Sequence, residues 1–122
     1  MTTVESTVVY TDHVETITCV RTVACDDWRA AIELCGEFDM SNAAELRAEL
    51  DEHLAHGRRV LRVDASAVSF MDSTAIGVLV AATQRCRAEH GSLILTGVPA
   101  RMQRLLTIAG LDQVLLVDTA ER

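Results

Sequence analysis

An α/β domain with a mixed, mostly parallel sheet is the fold class that this chain of 122 residues predicts. Three observations carry that reading. Short runs of Val, Ile, Leu and Thr alternate with longer runs of helical periodicity, the arrangement in which crossover helices cover parallel strands. The first two strand-like runs are separated by turn chemistry alone, which implies one antiparallel hairpin at the start. The apolar share is 49% with only four aromatic residues, Tyr10, Trp28, Phe38 and Phe70, so the core is expected to be aliphatic. The length is that of one domain, large enough to bury a real core.

The elements follow in order. Residues 1–12 are polar and unpatterned, a loose tail or an added strand, which leaves 13–120 as the folded domain. Val14 to Val23 alternates and is rich in Val, Ile and Thr, as a strand does. Ala24-Cys25-Asp26-Asp27 supplies a turn, and Trp28 to Cys35 reads as the returning strand. After a loop from Gly36 to Ser41, Asn42 reads as a helix N-cap, with Glu45 three residues on to complete a capping box. Leu46, Leu50 and Leu54 form one apolar stripe on a helix that ends near His56-Gly57. Val60 to Val63 is a strand. The next helix, about Thr74 to Glu89, sets Ile76, Leu79, Val80, Thr83 and Cys86 on one side, and Gly91 ends it. Ser92 to Leu95 is a strand. Pro99 fits the first turn of a third helix, with Met102, Leu105, Leu106 and Ala109 facing inward and Gly110 as its stop. Val114 to Val117 closes the pattern. The prediction is four to five strands and three to four helices in the order β-β-α-β-α-β-α-β, joined by right-handed crossovers.

Composition removes several function classes. A formal net charge of −7, with no Lys and eleven Arg, argues against a general nucleic-acid binder. The longest wholly apolar stretch, Ile76 to Ala82, is too short to cross a bilayer, and no export signal opens the chain, so a cytoplasmic, membrane-free protein is expected. Cys19, Cys25, Cys35 and Cys86 show no C-x-x-C pair and read as reduced thiols, mostly small buried hydrophobes, with Cys25 the most exposed. His53 and His56 read as two solvent-facing histidines, with no third ligand near in sequence for a metal. There is no phosphate-binding loop, dinucleotide fingerprint or nucleophile elbow, so neither catalysis nor a cofactor is expected.

The stretch Phe70-Met71-Asp72-Ser73-Thr74-Ala75-Ile76-Gly77 carries the functional signal. It joins a strand to a helix and so puts a carboxylate and two hydroxyls on a loop at a helix N-terminus. Unpaired N–H groups and the macrodipole favour negative charge there. On the spacing alone, an ordinary N-cap at Asp72 or Ser73 is the favoured reading.

Three blocks in order resemble STAS domains, and most closely the bacterial anti-sigma-factor antagonists. Leu34 to Asp39 is similar to the family's G-E-[LIF]-D; Val63 to Gly77 is similar to its D-L-S-x-V-x-F-[ML]-D-S-[ST]-G-[LI]-G; and Pro99 with Arg104-Leu105-Leu106 and Ala109-Gly110-Leu111 is similar to its third block. The resemblance implies a phosphoacceptor at the hydroxyl after Asp-Ser, which is Thr74, with Ser73 as the fallback. A partner-facing surface of Asp39, Met40, Phe70, Met71, Asp72, Ser73 and Ile76 is expected around Thr74, on two loops that should meet at one end of the sheet, with Phe70 and Ile76 equally readable as core residues. The implied partners are an anti-sigma factor of the histidine-kinase-like ATPase fold and a metal-dependent Ser/Thr phosphatase. The unmodified antagonist captures the anti-sigma factor and frees sigma, and phosphorylation ends the capture. A monomer or weak dimer is expected. The alternative is a STAS scaffold or sensory adaptor in which phosphorylation is not the switch. Ala75 stands where the family usually has Gly: costly if the backbone needs positive φ, favourable if the position is a first helical turn.

Overall fold

The computed structural model describes residues 5–10 and 17–118. Ten elements follow one another: β1 (Glu5–Tyr10), β2 (Ile17–Cys25), β3 (Arg29–Phe38), α1 (Ala43–Ala55), β4 (Val60–Met71), α2 (Ser73–Ala88), β5 (Ser92–Thr96), α3 (Ala100–Ile108), a 3-10 turn (Leu111–Gln113) and β6 (Leu116–Asp118). The six strands form one sheet in chain order. The β1/β2 and β2/β3 pairs are antiparallel; β3/β4, β4/β5 and β5/β6 are parallel. The α/β class and the predicted order hold. A sixth strand, β1, arises within the segment read as tail or added strand. Of the run expected to form the next strand, Val14 to Thr16 lie outside the described residues.

Each parallel crossover steps the same way across the sheet, so right-handed connections bring the helices to one face. The strands record this as alternation. Ala30, Ile32 and Leu34 of β3, Leu61, Val63 and Ala65 of β4, and Leu93 and Leu95 of β5 are buried. Their neighbours Ala31, Glu33, Cys35, Val60, Asp64 and Ile94 are half-exposed on the opposite face. There Arg21 pairs with its register partner Glu33, and Arg62 reaches Asp118 at 3.7 Å. The core is aliphatic apart from Phe38, which is fully buried.

Several local expectations are corrected. The capping box does not form. Asn42 begins α1 without a side-chain cap bond, because its Oδ1 accepts from Asp39 N–H at 2.9 Å and its amide donates to Glu37 O at 2.9 Å. Glu45 Oε1 is buried with no partner. Leu105 and Ala109 face solvent rather than the core, since the short α3 buries only Met102 and Leu106. On α2, Leu79, Thr83 and Cys86 are buried as expected, while Ile76 and Val80 are half-buried and Ala75 and Ala82 complete the inner face. Burial pushes the Cys86 thiol up to about 11, which leaves it inert near neutrality.

His53 is not solvent-facing. It is buried between α1 and β2, where its Nε2 lies 2.7 Å from Thr22 Oγ1. Arg58 Nη1, which can only donate, lies 3.1 Å from His53 Nδ1. That contact makes Nδ1 the acceptor and puts the proton on Nε2, which donates to Thr22. The Thr22 hydroxyl in turn donates to the buried carboxyl of Glu49 at 2.5 Å. Arg58 Nε also donates to Asp26 O at 2.8 Å, so the network ties β2, α1 and the β2/β3 turn together. His56, in contrast, is exposed.

The β2/β3 turn is organised by Asp26. Its carboxylate accepts from Trp28 N–H at 3.0 Å and Arg29 N–H at 2.8 Å, and holds the Arg29 guanidinium at 2.9 Å. The Trp28 amide, then the guanidinium and amide of Arg29, lower its pKa from 3.8 to about 2. A carboxylate depressed on folding stabilises above its unfolded pKa and loses that contribution as pH falls through the folded value. Thermal unfolding followed by circular dichroism is therefore expected to lose midpoint between pH 3.8 and about 2, and Asp26→Asn should flatten that segment of the curve.

Chain reversal after α2 uses His90 in the left-handed region, φ 64°, rather than Gly91. Gly91 is required for contact instead. A Cβ there would lie 1.9 Å from Arg59 O, the carbonyl that accepts from Ser92 N–H at 2.9 Å. Gly91→Ala is expected to cost about 2 kcal/mol in urea denaturation, because backbone has to move.

Candidate functional site

The hydroxyl pair does not sit on a loop. β4 continues to Met71, Asp72 alone makes the junction, and Ser73 already begins α2. The longer strand follows from the pairing of Phe38 with Met71 and Glu37 with Phe70, which carries β3 and β4 side by side to the start of α2. Asp72 is extended, φ −90° and ψ −178°, and its Oδ1 accepts from Ala75 N–H at 3.0 Å. Asp72 O accepts the first helical bond from Ile76 N–H at 3.0 Å. Ser73 and Thr74 are exposed on the first turn, and their N–H groups have no intrahelical acceptor. Ala75 lies within the helix and is fully buried, so Ala suits the position where the family usually has Gly.

A second segment is fastened beside this turn. Asp72 N–H donates to Phe38 O at 3.0 Å, joining the end of β3 to the cap of α2. Asp39, next in the chain, accepts on Oδ1 from Ser41 N–H at 2.9 Å and from Ser41 Oγ at 2.6 Å. Asp39 and Asp72 thus bring two carboxylates to one end of the sheet, at the C-terminal ends of β3 and β4.

Apolar side chains surround them unevenly. Met40 is 77% exposed and Phe70 49% exposed. Ile76 is half-buried against the core. Met71, expected on this surface, is 5% exposed and belongs to the core: the pleat that turns Phe70 outward turns Met71 inward. Phe70 also walls a groove of about 240 Å³ with Pro99, Arg101, Met102 and Leu105. Leu105, expected to face inward, and Ile108, which the sequence reading did not single out, are 49% and 79% exposed on α3 beside the buried Met102 and Leu106. Among the described residues no cluster of three or more metal-ligating side chains occurs, and no helix is long and apolar enough to cross a membrane.

Comparisons with known proteins converge on one family. The family model described as "Mlab, STAS domain" matches residues 22–118. An anti-sigma-B factor antagonist of Listeria monocytogenes is 34% identical over 90 residues, covering 74% of this chain and 79% of the relative. An anti-sigma-B factor antagonist of Bacillus subtilis is 36% identical over 84 residues, covering 69% of this chain and 76% of the relative. Among solved structures, the anti-sigma factor antagonist SpoIIAA in its unphosphorylated form superimposes with a TM-score of 0.71 at 20% identity, covering 84% of this chain and 90% of that one. The phosphorylated form of the Bacillus protein SpoIIAA gives 0.65 at 21% identity, covering 84% and 93%, so the fold is shared. A family model spanning residues 22–118, and relatives above 30% identity across more than three quarters of their length, show that the chain belongs to the STAS domain family.

Proposed function

We propose that this chain is an anti-sigma-factor antagonist whose unmodified form binds an anti-sigma factor of the histidine-kinase-like ATPase fold, and whose phosphorylation on Thr74 ends that binding. One observation carries the reading: an exposed threonine on the first turn of a helix already capped by its neighbouring aspartate. The cap fixes the backbone, so the hydroxyl is presented in one place. The kinase transfers the γ-phosphoryl group of ATP to Thr74 Oγ1, releasing ADP and the hydroxyl proton. The product anion lies beside the Ser73 and Thr74 N–H groups and the positive end of the α2 dipole. A metal-dependent Ser/Thr phosphatase reverses the step by hydrolysis.

The docking surface is Asp39, Met40, Phe70, Asp72 and Ser73, with Ile76 at its edge, and it continues along the groove lined by Pro99, Arg101 and Leu105. Its exposed apolar side chains supply contact area, and the two carboxylates border the Thr74 hydroxyl, so acidic groups of the partner facing it would repel an added phosphate. The test is incubation with the anti-sigma kinase and ATP, followed by intact mass and peptide mapping. One added phosphate on Thr74 is expected, with none on Thr74→Ala. Phosphate confined to Ser73 would move the acceptor by one residue; no phosphate at all would favour a scaffold role.

A further inference from the structure

Cys19 and Cys35, expected as separate reduced thiols, are joined by a disulfide. The reason is register. They are direct partners across antiparallel β2 and β3, with Cα atoms 5.2 Å apart, within the span a disulfide bridges. Both lie half-exposed on the sheet face that carries the Arg21–Glu33 pair, away from the helices, so a small thiol can reach them. The remaining thiols do not compete: Cys86 is buried, and Cys25 stands at the opposite end of β2, paired with Ala30.

The position of the bond matters more than its presence. Cys19↔Cys35 is the last register pair of β2/β3 before the segment that leads to the acceptor. Directly beyond it Gly36 has φ 94°, and β3 shifts register against β4 on both sides of Cys35-Gly36. With the β2/β3 ladder ended there, Glu37 is held by a single side chain of β2. Thr18 Oγ1 donates to Glu37 O at 3.0 Å and accepts from Glu37 N–H at 3.3 Å. Phe38 O then takes Asp72 N–H, and Asp72 caps α2. A covalent clamp at Cys35 is therefore three residues from a carbonyl that holds the cap of the acceptor helix.

We propose that Cys19–Cys35 is a reversible thiol–disulfide site whose redox state sets the mobility of the Gly36–Asp39 segment and, through the Phe38–Asp72 bond, of the α2 cap. The oxidant is a low-molecular-weight disulfide, RSSR. One cysteine thiolate attacks RSSR and expels RS⁻; the second attacks the mixed disulfide and expels another RS⁻. In balance, two Cys thiols and RSSR give one Cys–Cys disulfide and two RSH, and excess RSH runs the steps backward. Oxidation clamps the β2 side of the segment; reduction leaves that side to the Thr18 bonds, while pairing with β4 and the Asn42 side chain hold the other side in both states. The consequence for partner binding rests on the Thr74 assignment above, but the thiol chemistry and the cap do not.

The test uses the full chain equilibrated in reduced or oxidised glutathione, acid-quenched, then unfolded in denaturant at neutral pH, alkylated and weighed intact, with amide hydrogen exchange of the folded protein measured in parallel. All four cysteines are expected to take the alkylating agent in reduced glutathione; in oxidised glutathione Cys19 and Cys35 are expected to take neither the agent nor glutathione. Amides from Gly36 to Asp39 and that of Asp72 should exchange about tenfold more slowly in the oxidised protein. Cys35→Ser should show the faster rate in both buffers. The proposal is overturned if the pair stays alkylatable in oxidised glutathione, if it resists reduction in the folded protein, or if Asp72 exchanges equally in both states. Since no partner or kinase enters the assay, these outcomes are independent of whether Thr74 is the acceptor.

Discussion

Phosphorylation of Thr74 is expected to weaken the complex with the anti-sigma factor by about a thousandfold, equivalent to about 4 kcal/mol. The phosphate adds about −1.5 to −2 charges to a surface that already presents Asp72 and Asp39. In the free antagonist that charge is tolerated, because it sits at the first turn of α2 and in water. In the complex the same surface is covered, and an unpaired dianion in a desolvated interface costs several kcal/mol. On the proposed reading the difference between the two environments is the switch, and no second conformation of the antagonist is needed. Isothermal titration calorimetry with phosphorylated and unmodified protein measures it directly. Amide shifts should change only near residues 38–42 and 70–78. Thr74→Glu should act in the same direction but less, since it brings one charge. A phosphoprotein that binds within about tenfold of the unmodified form would remove the charge mechanism. Shift changes spreading to β5 and β6 would replace it with an allosteric one.

The second large effect is expected far from that surface. Thr22→Val should destabilise the fold by about 3 kcal/mol, because it removes the hydroxyl that bridges the buried His53 Nε2–H and the buried Glu49 carboxyl. Valine nearly matches threonine in volume, so packing is conserved and the loss reports the hydroxyl. Urea denaturation of the two proteins provides the difference, and the slope of the transition should be unchanged. A change below about 0.5 kcal/mol would show that the network rearranges or hydrates at no cost. Partner binding by the folded Thr22→Val protein should equal that of the parent.

These two predictions also mark what sequence could and could not reveal. The cap of α2 was legible because everything in it is local: Asp72 accepts from an N–H only three residues on, and the hydroxyls follow it directly. The length of β4 was not legible. Asp64, Ser66 and Ser69 interrupt its apolar alternation, and only pairing with β3 shows that the strand continues to Met71. The box expected of Asn42 and Glu45 failed for a related reason. Asn42 had the right spacing, yet the backbone of Glu37 and Asp39 reached it first. His53 was misplaced because its partner Thr22 is 31 residues away and becomes a neighbour only once α1 lies on β2. Cys19 and Cys35, 16 residues apart, meet through hairpin register, which a one-residue slip would undo. Local chemistry was readable; contacts created by packing were not.

The two ends of the parallel strands hold different kinds of residue. Asp26 before β3, Arg58 and Arg59 before β4, and Gly91 before β5 gather at one end, each tied into backbone or a buried network. Thr74, Asp39, Met40 and Phe70 gather at the other, where side chains point outward and little of the interior depends on them. A lineage can therefore exchange Met40 or Phe70 for other side chains and drift toward a new partner while the melting temperature barely changes. At the opposite end the same number of substitutions would consume a large part of a margin that is only about 5–15 kcal/mol. Duplicated copies of such a gene would be free to diverge in whom they recognise long before they diverge in how they fold.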